Sequence, residues 1–131
     1  MHVYESAEDY LEAILVIGQR RGAVRSIDIA NELGFSKPSV SVAMKKLRES
    51  GHIEMDPDGL IRLLPSGRAI AERIYERHRT LTDFFIYLGV DETSASADAC
   101  LVEHDLSAGT FEKLKDHIRR TMGEAPGQAE K

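Results

Sequence analysis

Apolar residues recur at helical spacing from about residue 5 to residue 21, with Tyr10, Leu11, Ile14, Leu15 and Ile17 as the inward positions. The spacing predicts a helix that Ser6 caps, with Asp9 three residues on in a capping-box-like pattern, and that Gly22 ends. A shorter helix is expected from Ser26, which can cap it, burying Ile27, Ile29, Ala30 and Leu33 and closing at Gly34. Past Phe35, the stretch Ser36 to Glu49 puts Val40, Ala43, Met44 and Leu47 on an inner stripe. Pro38 is tolerated there because it falls in the first turn, where a missing N–H costs little. Two short helices joined by a tight glycine-containing turn form a helix-turn-helix.

Gly51 breaks this pattern. Ile53 to Asp56 and Leu60 to Leu63 then read as two strands around Pro57-Asp58-Gly59, a strong turn signal. A hairpin directly behind a recognition helix is a wing. Pro65-Ser66-Gly67 opens the longest helix, which runs to about Leu88 and stops at Gly89. Another helix is expected from Asp91 to Leu106, and a last one from Ser107 or Thr110 with Phe111, Leu114 and Ile118 inward. The fold class is therefore mainly α, an N-terminal winged helix-turn-helix followed by a helical domain. The expected boundaries are 1–64, 65–122 and a flexible tail over 123–131.

Composition narrows the class. Hydrophobic content of 42% and charged content of 30% over 131 residues are those of a soluble globular protein. No apolar run approaches the roughly 20 residues of a membrane helix, and the N-terminus lacks a signal-peptide pattern, so a cytoplasmic location is expected. One cysteine excludes an internal disulfide framework. The net charge of −5 by itself argues against a nucleic-acid partner, but its distribution is not uniform. From Gln19 to Arg48 there are seven basic residues against two acidic ones, the kind of surplus that phosphates attract. Ser36, Lys37, Pro38, Ser39, Ser41 and Lys45 on the second helix are its candidate DNA contacts, with Arg25 and the wing residue Arg62 beside them.

The second chemistry is metal ligation. Cys100, Glu103 and His104 stand at i, i+3 and i+4, positions that share one face of a helix. A thiol, a carboxylate and an imidazole all bind divalent ions when deprotonated. Asp9 and Glu12, at i and i+3, and His78 supply further donors, and the expectation is that these six residues from three helices meet in one metal site. Taken singly, Asp9 and Glu12 read better as acids favoured by a helix N-terminus, and His78 as a structural helical histidine. A rival reading makes Cys100 a redox sensor, its pKa lowered beside His104. Catalysis by a metal-activated water lacks any substrate-cleft signal, so an enzyme is not expected, nor a small-molecule substrate.

The order of parts resembles the diphtheria-toxin-repressor and manganese-transport-regulator family of metal-dependent bacterial repressors, over about residues 4 to 120. The resemblance rests on Asp9-Tyr10-Leu11-Glu12-Ala13-Ile14, the helix-turn-helix, Leu64-Pro65-Ser66-Gly67-Arg68, Arg77-His78-Arg79 and Glu103-His104-Asp105-Leu106-Ser107. It implies a homodimer that binds a palindromic operator when a divalent metal is plentiful, with the metal between the winged-helix domain and a helical dimerisation domain. It also implies that Asp9, Glu12, His78, Cys100, Glu103 and His104 are ligands. Asp9 and Glu12 match the manganese branch, whereas Cys100 matches the iron branch, where the manganese branch has Glu. Ser96 and Thr82 stand where the iron branch has the His and Glu of an ancillary site, and no SH3-like third domain follows. Mn(II) or Fe(II) is thus the implied ion, Zn(II) being compatible, and the thiolate favours the softer metals.

Overall fold

Every helix begins or ends on a residue that the sequence marks. The computed structural model describes residues 3–123 and contains α1 (Val3–Arg21), α2 (Ser26–Leu33), α3 (Lys37–Glu49), β1 (Ile53–Met55), β2 (Ile61–Leu63), α4 (Pro65–Tyr87), α5 (Glu92–Val102) and α6 (Ala108–Met122). It divides into two compact units, the break falling between Arg73 and Ile74 inside α4. Most of the tail expected at 123–131 lies outside the described residues.

In the first unit, α1 packs on α2, α3 and β2. Val24, Ile29, Val40, Met44, Leu47, Ile53 and Ile61 are all buried there, each contributing roughly 1.5–3 kcal/mol by leaving water. Gly34 ends α2 in the left-handed region (φ 72°), its N–H bonded to the Ala30 carbonyl, a geometry that favours glycine. Ser36 caps α3 by accepting the Ser39 N–H at 3.2 Å, and Pro38 occupies the first turn. In the hairpin Ile53 faces Leu63, Glu54 faces Arg62 and Met55 faces Ile61. The tip is an Asx-type turn: Asp56 Oδ1 accepts the N–H groups of both Asp58 and Leu60 at 2.9 Å. Two backbone bonds tie this wing down, Ile61 N–H to the Val24 carbonyl (2.8 Å) and Leu64 N–H to the His52 carbonyl (2.9 Å). A Cβ on Gly67 would lie 2.1 Å from that His52 carbonyl oxygen, so only glycine lets α4 start against the wing base.

Four expectations are corrected. Ser6 lies inside α1, which starts at Val3 because the backbone pattern extends further than the apolar stripe does. Ser26 is the first residue of α2 rather than its cap; Arg25 holds that place, and Asp28 reaches back to accept its N–H at 2.9 Å. Ile27 is 39% exposed, since α2 buries only Ile29 and Ala30 fully. The strands are each three residues long, Asp56 and Leu60 being drawn into the turn.

In the second unit, Asp91 caps α5 by accepting the Ser94 N–H at 3.0 Å, which holds its carboxyl below the ordinary value. Ser107 caps α6 through the Thr110 N–H, and Phe111 and Ile118 are buried. The helix α5 ends at Val102, not at Leu106. The reason is Arg77 of α4, a buried cation whose Nη1 donates hydrogen bonds to the carbonyls of Glu103 (3.0 Å) and Leu106 (2.7 Å). Those carbonyls are thereby turned away from further helix, and the guanidinium rests 5.1 Å from the centre of the Phe111 ring.

Candidate metal centre

His78 projects from α4, Cys100 from the last turn of α5, and Glu103 is the C-cap residue just beyond it. One ligand atom from each lies within 4.8 Å of the others. His78 Nδ1 is 2.9 Å from Glu103 Oε1, and Ser96 Oγ stands 3.4 Å from His78 Nε2 on the other side of the ring. The inner face of α5 is made of Ala95 and Ala99, both fully buried, so no bulk keeps Cys100 or Ser96 away.

Glu103 is the decisive residue. Its side chain is 0% exposed, a cost of several kcal/mol for a lone carboxylate unless the charge is compensated. Oε1 meets His78, while Oε2 accepts no hydrogen bond among the described residues and lies 3.4 Å from His104 Nε2. A fully buried carboxylate grouped with one imidazole and one thiol, its second oxygen still without a donor among the described residues, fits a divalent transition ion in donor type and charge. Glu103 keeps a helical backbone (φ −60°, ψ −27°) with its N–H bonded to the Ala99 carbonyl, so it stays one turn beyond Cys100 on the same face, as the i, i+3 spacing puts it, while His104 lies in the turn at 103–106.

Asp9 and Glu12 are half-buried one turn apart on α1, in the first unit. Asp9 and burial together push the neighbouring Tyr10 phenol above its ordinary value, burial being the larger cause. Two residues of this region have contacts that the sequence reading does not assign, Arg77 and Ser96. Arg77 had a signal: it sits three residues after Ile74 and four before Leu81, on the inward stripe of α4. Ser96 enters that reading only as a departure from the iron branch's ancillary site.

On the first unit, Ser36, Lys37, Pro38, Ser39, Ser41 and Lys45 are all exposed, while Val40, Met44 and Leu47 of α3 are buried. Two other candidates are engaged within the protein. Arg25 donates from Nη1 to the Asp58 carbonyl, bracing the wing tip, and Arg62 pairs across the hairpin with Glu54 at 2.9 Å. Arg20 and Arg21 likewise pair with Glu32 (2.8 Å) and Asp28 (3.2 Å), so the basic surplus is concentrated on α3.

Two family models match in the order of the two units. Residues 2–60 match the N-terminal DNA-binding domain of the iron-dependent repressors, and residues 64–122 their metal-binding and dimerisation domain. The chain belongs to the iron-dependent repressor family. A transcriptional regulator MntR of Salmonella typhimurium is 35% identical over 111 residues, covering 85% of this chain and 71% of that one. An uncharacterized HTH-type transcriptional regulator of Methanocaldococcus jannaschii is also 35% identical, over 85% of this chain and 90% of its own length. Among solved structures, a manganese-dependent transcriptional repressor in complex with manganese superposes with a TM-score of 0.75 at 29% identity, over 89% of this chain and 52% of that chain. The IdeR of T. acidophilum gives 0.75 at 25% identity, over 88% and 53%. This chain thus spans about half the length of those solved repressors. No helix among the described residues is long and apolar enough to cross a membrane.

Proposed function

We propose that this iron-dependent repressor family member is a cytoplasmic, metal-dependent transcriptional repressor of metal homeostasis that binds a palindromic operator as a homodimer. The observation that carries the reading is the convergence of His78, Cys100 and the buried Glu103 in the unit matched by the family's metal-binding domain. Asp9, Glu12 and His104 complete the proposed ligand set, the first two on their match to the manganese branch. The bound ion would supply positive charge beside the fully buried Glu103 carboxylate. What the chain itself does is hold those donors in place: Arg77 fixes the turn that carries Glu103, and Ser96 engages the far nitrogen of the His78 ring. A thiolate among the donors favours Fe(II) or Zn(II) over Mn(II). A coupling of about 1–3 kcal/mol between metal and DNA suffices for regulation, and by reciprocity operator DNA tightens metal binding.

The proposed DNA contacts are Ser36, Lys37, Pro38, Ser39, Ser41 and Lys45, with Arg25 and Arg62 in supporting positions because both already hold protein partners. Redox sensing through Cys100 draws no support from the relatives, and catalysis none from their names. The test is anaerobic calorimetry of metal-free protein with Mn(II), Fe(II) and Zn(II), in parallel with anisotropy on a palindromic duplex. Metal-dependent DNA affinity is the expected result. Saturable metal binding with DNA affinity unchanged by metal would defeat the repressor reading.

A further inference from the structure

The exposed face of α3 carries a residue that the charge pattern passes over. Val42 is 55% exposed, although it lies in the middle of a helix whose opposite side is closed by Val40 (0%), Met44 (1%) and Leu47 (5%). At about 100° per residue, Val42 points nearly opposite the centre of that stripe, at the crest of the outer face. Pro38, Ser39, Lys45 and Lys46 stand at i−4, i−3, i+3 and i+4 from it, so they share its face. A β-branched residue is a poor choice for an exposed helix position by propensity, and this one packs against no core.

The remaining groups on that face limit how the helix reads bases. From Lys37 to Lys46 there is no Arg, Asn or Gln, so bidentate pairing with adenine is missing and guanine readout falls to the lysines alone. Serine hydroxyls accept either base. An exposed branched aliphatic group flanked by lysines meets one distinctive feature of the major groove, the C5-methyl of thymine.

Resting on the DNA-binding reading above, we propose that Val42 is a specificity residue that contacts a thymine methyl in each operator half-site. Removing one methyl from such a contact weakens binding by roughly fourfold.

The experiment starts from a pool of random duplexes enriched on the full chain loaded with Mn(II) or, separately, Fe(II). Thymines of the enriched duplex are then replaced one at a time by deoxyuridine, and binding is measured for the parent and for Val42→Ala, a change that favours the helix. The expected result is one thymine per half-site whose replacement weakens the parent about fourfold and leaves Val42→Ala unaffected. If every thymine replacement affects the two proteins equally, Val42 does not read a methyl and the inference falls. If no duplex is enriched under either metal, the DNA-binding reading falls, and this inference with it.

Discussion

Arg77→Met tests the account of how the centre is built. The arginine is 6% exposed, and its two carbonyl hydrogen bonds at 3.0 and 2.7 Å fix both ends of the turn from Glu103 to Leu106. Bonds from a charged donor contribute about 1.5–3 kcal/mol each, and the Phe111 contact adds to them. Against this stands the cost of keeping a guanidinium dry, which methionine avoids while filling much of the same volume. The net loss is expected at about 2–4 kcal/mol, which at a urea slope near 1.5 kcal/mol/M lowers the unfolding midpoint by roughly 1.5–2.5 M. The assay is urea unfolding in the presence of a chelator, followed by circular dichroism. Competition for Mn(II) against a fluorescent chelator then reads the site. With its turn unanchored, Glu103 should bind metal about 10–100-fold more weakly. Arg77→Lys should recover little, because the lysine nitrogen stands one bond short of the Nη1 atom that donates to both carbonyls and has no flat face to lay on Phe111. An unchanged urea midpoint would refute the energetic argument. A lowered midpoint with unchanged metal affinity would refute the positioning argument alone.

Glu103→Gln keeps the shape but removes the buried charge, so the chelated protein should fold normally while metal affinity falls by more than about 100-fold; calorimetry reads this, and retained affinity would place the ion elsewhere. Gly67→Ala drives a Cβ into the His52 carbonyl and should destabilise the winged-helix unit by about 3 kcal/mol, measured by thermal unfolding. The Asp91 carboxyl is lowered by the Ser94 N–H, so its contribution is present at neutral pH and is lost as pH falls through that lowered value; Asp91→Ala should flatten the acid limb of a stability-against-pH curve. Lys37→Ala and Lys45→Ala should each reduce the salt slope of DNA binding by about one, whereas Arg62→Ala, already paired with Glu54, should change it less.

Much of the first unit was legible because its signals are local. Gly34, Ser36 and Pro38 mark the helix-turn-helix through backbone conformation and capping, which depend on neighbours in sequence. The buried stripe of α3 follows from helical period alone. The candidate ligands His78, Cys100 and Glu103 were legible as residue types, since few other side chains bind a transition ion. The misplaced end of α5 came where a distant group outweighed a local preference. Helical spacing carries α5 to Leu106, but Arg77, 26 and 29 residues away in sequence from its two acceptors, ends it at Val102.

The same distinction separates what each level fixed. Period, caps and glycines in the sequence determined where the helices and the wing lie, because those forces act within a turn or two of chain. Only the tertiary structure decided which arginines are engaged, leaving Lys37 and Lys45 outward while Arg25 braces the wing tip, since pairing depends on what folding brings alongside. It also decided that Glu103 is fully buried and faces His78. That follows from the hold of Arg77 on the turn, a long-range hydrogen bond that no local pattern encodes.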